Sequence, residues 1–353
     1  MRGRKIAVPS LDHLLALSDD TGIIQHAVYD VPNRSTGYCT DDVARAFMVA
    51  VSLHDIGTRK DAAARLASTY LAFLQDAQLA DGWFHNFMSY GRSWLDERGT
   101  QDSFGRAVWA LGFGMRYAKR ESWRKVCERL LQSAAARLPD LRYLRSTAYA
   151  TIGLSHALES RPAEAKLIRE WLAPLAATLR DAYVAHQAPD WQWFEDGMTY
   201  DNARLCEAML RAGTALRDDE LIAIGLRTLA FYERIVIENG MFVPIGNDGW
   251  FPRGGIRARY GQQPLEAAAS IEAALTAHDC TSAPAFVALA HAAFDWFHGK
   301  NTADAEMAER GGCRDGIDPQ GANANMGAES TLAYLSSAAM LAERPANRLR
   351  VAR

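Results

Sequence analysis

Long apolar runs are missing from this sequence. No stretch approaches the roughly 20 residues that a bilayer-spanning helix needs, so no membrane partner is expected. The N-terminal segment MRGRKIAVPSLDHLLALSDDTG carries charges at its head but no apolar core long enough for a signal peptide. Cysteine is scarce: Cys39, Cys127, Cys206, Cys280 and Cys313 are scattered, odd in number, and never in a CxxC or near a histidine at ligand spacing. That argues against a disulfide framework and a structural zinc and for a reducing compartment, which makes the cytoplasm the expected address. Neither a metal nor a cofactor is expected. A surplus of one charge is also missing. The formal net charge of -3 offers no basic field for a phosphate backbone, which argues against nucleic acid as a partner. The glycines of GGCRDG follow no strand and so make no phosphate-binding fingerprint. Alternating runs of β-branched residues are absent too, apart from short pieces such as MFVPIG that suit a small hairpin at a loop.

What is present is helix. Alanine-rich stretches with apolar residues at helical spacing recur from end to end, among them VARAFMVAVSLHDIG, AAARLASTYLAFLQDAQ and AKLIREWLAPLAATLRDAYVAH. Six times a polar cluster runs directly into such a helix: at Thr40-Asp41-Asp42, Gln101-Asp102-Ser103, Leu144-Arg145-Ser146, Thr199-Tyr200-Asp201-Asn202, Gln262-Gln263-Pro264 and Gly327-Ala328-Glu329. Each start lies roughly 45 to 65 residues after the one before, room for two helices and their loops. An apolar helix followed by an amphipathic return helix, six times over, predicts an all-α fold, a closed (α/α)6 toroid occupying residues 1–353 as one domain. All six polar starts then surround one mouth. Helix capping by Asp, Thr and Ser accounts for part of this pattern. It does not account for Arg145, for Gln262-Gln263, or for an arginine one turn after the aspartate in three of the clusters.

The loops before these starts carry aromatic residues, and loops on one rim of a rigid scaffold are where binding residues collect. His85 lies in WFHNF; Trp191 and Trp193 lie in DWQWFED; Asn247 and Trp250 lie in PIGNDGW. A pyranose ring has an apolar face and a polar rim, so Trp and Tyr at a cleft edge suit sugar stacking. His85 between aromatics suits either core packing or a substrate contact and proton shuttle.

Glycoside hydrolysis needs two carboxyl groups, one protonated and one ionised. The predicted mouth offers a surplus, including Asp41, Asp42, Asp102, Glu195, Asp196, Asp201, Glu266, Asp315, Asp318 and Glu329. Helix spacing lets Arg45 pair with Asp42, Arg106 with Asp102 and Arg204 with Asp201, and a paired aspartate suits a base or a hydroxyl acceptor. Glu195, flanked by Trp193 and Phe194, is the carboxyl expected to be desolvated and to act as acid, with Asp102 or Asp201 as base. Asp42 completes the candidate catalytic set. Arg45, His85, Arg106, Arg145, Trp191, Trp193, Tyr200, Asn202, Asn247, Trp250, Gln263, Glu266, Asp315 and Glu329 are the expected substrate contacts.

Taken together, HNFMSY, QDSFGRAVWALG, WFEDGMTYDNARL, PIGNDGW, QQPLEAAA and GAESTLAYL resemble a bacterial family with the six-hairpin glycosidase architecture, over about Tyr29 to Ala339. Members are encoded beside glycosyltransferases and mannoside phosphorylases, or fused behind a family-four glycosyltransferase domain. The resemblance therefore implies a functional association with a glycosyltransferase. It implies no transferase activity here, because no parallel α/β pattern is present. Where members read SED before the second inner helix, this chain reads Gln101-Asp102, which keeps the carboxylate at 102 and removes one at 101. Cys206 stands where a small or cyclic residue is more usual. The expected function is hydrolysis of mannose- or glucose-containing oligosaccharides by carboxylate acid–base catalysis. A sugar epimerase or isomerase and a non-catalytic glycan-binding partner of a glycosyltransferase are the alternatives.

Overall fold

A computed structural model describes residues 6–57 and 59–343. The ends of the expected span, including the charged head of the N-terminal segment, lie outside the described residues. Twelve α-helices are present among them: α1 (Asp12–Leu17), α2 (Thr40–Ile56), α3 (Lys60–Ala77), α4 (Gln101–Tyr117), α5 (Glu121–Ala134), α6 (Leu144–Ser160), α7 (Ala165–His186), α8 (Ala203–Leu216), α9 (Asp219–Val236), α10 (Pro264–Thr281), α11 (Pro284–Trp296) and α12 (Ala328–Glu343).

The even-numbered helices form the inner ring. Each touches the next, α2 on α4, α4 on α6, α6 on α8, α8 on α10, α10 on α12, and α12 closes back onto α2. Burial follows position. The inner helix α10 is buried from Pro264 to His278 on every side, as a helix enclosed by neighbours must be. The outer helix α5 buries only Trp123, Cys127, Leu130, Leu131 and Ala134, one stripe at helical spacing. Pro264 occupies the first turn of α10, where its missing N–H is harmless.

The tightest inner joint is α4 on α6. A Cβ at Gly105 would overlap the backbone of Ser146, and one at Gly112 would overlap the carbonyl of Gly153. Both pairs advance by seven residues, so the helices cross closely along two turns. The sixth hairpin is not sequential: α12 has no described return helix after it and is backed by α1 from the other end of the chain.

The loops at the two ends of the ring differ in length. Connections from inner to outer helices are short, such as Arg217-Asp218 between α8 and α9 and Ser282-Ala283 between α10 and α11. Most of those leading into the inner helices are long and folded by two-residue antiparallel pairings, including Ile237–Glu238 with Met241–Phe242 at the expected small hairpin; the one into α6 is a short 3-10 turn, Ala135–Asp140. Among the described residues no helix is long and apolar enough to cross a membrane.

Candidate functional site

All six polar clusters fall at the N-terminal ends of the inner helices, so they share one end of the ring. The side chains there, and one turn below, form a circuit that touches every inner helix. Arg45 of α2 pairs with Asp41 at 2.7 Å, with Asp42 at 2.9 Å and with Glu329 of α12 at 2.8 Å. Asp41 also meets Arg106 of α4 at 3.0 Å. Arg106 reaches Asp201, at the entry to α8, at 3.1 Å and donates to the hydroxyl of Tyr149 on α6 at 2.8 Å. Tyr149 in turn donates to Asp201 at 2.8 Å. Arg204 of α8 lies 3.4 Å from Asp201, bonds Glu207, and meets Glu272 of α10 at 2.6 Å. Ser336 of α12 donates to Glu272 at 3.0 Å and closes the loop. Arg106, Arg204, Asp201 and Glu207 are all buried, so each charge depends on its partners. Asp201 holds its place at φ +48°, a left-handed conformation uncommon for a residue with a side chain.

A second group lies above this circuit; in it Asp102, Glu195 and Tyr200 are partly exposed, while Arg145, Asn202 and Glu266 are buried. Asp102 accepts from Ser146 and, at 2.5 Å, from the hydroxyl of Tyr200. Arg145 donates to the Tyr200 carbonyl at 2.9 Å and pairs with Glu195. Asn202 donates to Glu266 at 3.1 Å, and Tyr232 donates to the same oxygen at 3.3 Å. The other oxygen of Glu266 is buried without a hydrogen-bond partner. Asp102 and Glu266 therefore flank one turn, Tyr200-Asp201-Asn202.

Two carboxyls at this end are pushed up to about 7. For Glu266 the causes are burial first and the neighbouring charge of Asp201 second. For Asp42 burial again dominates and outweighs the attraction of Arg45. Burial also raises Asp315, which accepts from the Gly327 N–H at 2.8 Å. Desolvation by burial, then the charge of Asp102, pushes the Tyr200 phenol up. Among the described residues no group of three or more His, Cys, Asp or Glu side chains could hold a metal ion.

Several sequence expectations need correction. Glu195 is not enclosed by Trp193 and Phe194. Those rings face the core, while its carboxylate is a third exposed and bound to Arg145. Trp191 and Trp193 do not line the mouth. Trp191 packs edge-on to Phe231 and Phe251 and donates to the Glu195 carbonyl at 2.7 Å; Trp193 is fully buried beside Tyr232. The expected Arg106–Asp102 pair does not form, because inside a closed ring Arg106 meets Asp41 and Asp201 from neighbouring helices. The Arg45–Asp42 and Arg204–Asp201 pairs do form.

Among the other candidates, Trp250 stands 6.5 Å from the Tyr200 ring and is half-buried. Asn247 is exposed, and Gln263 caps α10 without a side-chain bond to it. His85 stacks on Trp94 at 4.7 Å and its Nδ1 contacts the Asp96 carbonyl at 2.7 Å, a packed position at the edge of the site. Tyr149, Ser146, Glu207 and Glu272 were not singled out by sequence reasoning. Glu207 carries a signal in hindsight, as the one acid of α8, set between Arg204 and Arg211 one turn away on either side.

No family model matches the chain, and no curated protein matches it. Solved structures do. It is similar to cellobiose 2-epimerase from Spirochaeta thermophila (14% identity, 97% of this chain and 95% of that one, TM-score 0.71). It is similar to cellobiose 2-epimerase from Bacillus thermoamylovorans (11% identity, 94% and 96%, TM-score 0.71). It is also similar to a glycoside hydrolase family 76 mannosidase from Bacteroides thetaiotaomicron (8% identity, 94% and 95%, TM-score 0.66). At such identities the likeness speaks for the backbone alone, and what it shows is an all-α (α/α)6 toroid of six helical hairpins.

Proposed function

We propose that the chain is a carbohydrate-active enzyme, a glycoside hydrolase that cleaves mannose- or glucose-containing oligosaccharides without a metal or cofactor. One observation carries the reading: a carboxyl pushed up to about 7, Glu266, and a solvent-reachable carboxyl, Asp102, flank the same turn at the mouth. Two carboxyl groups whose surroundings differ this much are what acid–base hydrolysis of a glycosidic bond requires. In this reading Glu266 is the acid and Asp102 the base, with its orientation set by Ser146 and Tyr200. Asp42 is the alternative acid. Arg145 and Glu195 hold the Tyr200 turn. The names of the similar structures, epimerases of cellobiose and a mannosidase, support a sugar substrate. The functional association with a glycosyltransferase is proposed from the sequence resemblance alone.

The test is release of reducing sugar from a panel of mannosides and glucosides, with Glu266→Gln and Asp102→Asn alongside. Loss of at least about 100-fold in each variant is expected, the lower end for removal of a general acid or base. No turnover by the parent protein, or full activity in both variants, overturns the assignment. Solvent deuterium appearing in free cellobiose or mannose would establish an epimerase instead, and binding across the panel without turnover would establish a glycan-binding partner.

A further inference from the structure

A large cavity lies away from the mouth. It has a volume of about 590 Å³ and runs along the barrel axis, from the underside of Arg45 and Arg106 to the last turns of the inner helices. Its far end is bordered by exposed Asp55 and Asp279 and by Tyr117, which is 36% exposed. Among the described residues the connections at that end are too short to reach across the axis, and the exposed lining residues place the opening there, opposite the mouth.

The walls are of two kinds. On one side Trp109, Phe113 and Tyr117 follow one another at intervals of four along α4, a continuous aromatic stripe. At 1.5 Å per residue it runs for about 12 Å. On the facing sides α6, α8, α10 and α12 contribute polar groups, among them His156, Arg211, Glu272 and Ser336. Burial and the charges of Arg211 and Arg116 hold His156 well below its ordinary range, so it is neutral, and Arg116 donates to its Nδ1 at 3.1 Å.

Charge decides the class of ligand. Five arginines line the cavity, but each is already paired with a carboxylate: Arg45 with Asp41, Arg106 with Asp201, Arg116 with Glu159, Arg204 with Glu272 and Arg211 with Glu207. No uncompensated positive charge is left to draw an anion. Donors on the lining residues are left without a hydrogen-bond partner, among them the indole N–H of Trp109, one terminal nitrogen of Arg106 and the Nε of Arg45. Arg204 lies over the Trp109 ring at 4.4 Å and Arg116 over Tyr117 at 4.9 Å, so the stripe is an apolar surface edged by charge-paired hydrogen-bonding groups, which suits the apolar face and hydroxyl rim of a neutral sugar.

We propose that this axial cavity is a second sugar-binding site, separate from the mouth and entered from the other end of the ring, which takes a neutral mono- or disaccharide. The site needs no chemistry at the mouth, so it stands or falls independently of the hydrolase reading.

The experiment is calorimetric titration of the intact protein with glucose, mannose, cellobiose and a mannobiose. Tyr117→Ala, Met340→Trp and Asp102→Asn are titrated in parallel, and melting curves verify that each variant is folded. One of these sugars binds the parent. Tyr117→Ala, at a partly exposed position, weakens that binding about tenfold. Met340→Trp, which fills the channel near its opening, abolishes it. Asp102→Asn leaves it unchanged even where turnover is lost. No sugar binding by the parent overturns the proposal, as does binding lost in Asp102→Asn but intact in Tyr117→Ala, or binding of inorganic phosphate in place of the sugars.

Discussion

Replacing Glu266 by Gln should stabilise the protein at alkaline pH and leave it nearly unchanged in acid. The carboxyl has an ordinary value of 4.5 and is pushed up to about 7 in the fold. Between those values the native state keeps a proton that the unfolded chain has released, so stability falls as pH rises through the window. At ~1.36 kcal/mol per pH unit the loss reaches about 3 kcal/mol and is complete just above pH 7. Gln keeps the acceptor that Asn202 and Tyr232 use, at 3.1 and 3.3 Å, and removes the charge that ionises beside Asp201. Urea unfolding of parent and variant at pH 5, 7 and 9 measures the difference. It should be near zero at pH 4.5 and below, grow across the window, and level off at about 3 kcal/mol above it. A difference that does not change with pH would refute the reasoning, because then no proton uptake is coupled to folding at this position. The same variant should lose activity, so stability gained and turnover lost at pH 9 would both come from one buried carboxyl.

Arg106→Met strands Asp201 with Arg204 and Tyr149 as its remaining partners and should cost about 3 kcal/mol. At roughly 2.1 cal/mol/K per residue this lowers the melting temperature by about 4 °C. Adding Asp201→Asn to Arg106→Met should recover part of the loss, and a double variant as unstable as the sum of the singles would show that the pair is not coupled. Gly112→Ala pushes a methyl group into the Gly153 carbonyl at the tight α4–α6 joint and should cost about 1–3 kcal/mol in urea unfolding. Tyr200→Phe removes the donor that orients Asp102 at 2.5 Å and should lower turnover about tenfold while leaving the melting temperature within a degree or two, roughly a surface-size change.

The six inner helix starts were legible because a polar cluster entering an apolar helix is a local signal, and the ring carries it six times. Distances between helices were not legible. Arg106 and Asp102 lie one turn apart on α4, yet Arg106 turns to Asp41 and Asp201, because the axis of a closed ring brings neighbouring helices nearer than the next turn of the same one. The aromatic loops misled for a related reason. DWQWFED reads as a rim loop, but it folds back so that Trp191 and Trp193 seal the outer layer while Glu195 and Tyr200 face the mouth. Glu195 consequently gains a guanidinium rather than an apolar enclosure. The elevated carboxyl proposed as the acid is Glu266, in the first turn of a helix whose alanines gave no hint of how deeply it would be buried.

The backing of α12 by α1 has a consequence for when the site comes into being. Five hairpins join segments that are neighbours along the chain and can collapse locally, but the last joint brings Asp12–Leu17 against Ala328–Glu343. Contacts so remote in sequence form late, since the entropy of closing the chain must be overcome first. Arg45 and Glu329, 284 positions apart, meet only when that seam is shut. A ring open at this seam would lack the Arg45–Glu329 link, so the ionic circuit beneath the mouth closes only in a molecule that is already complete.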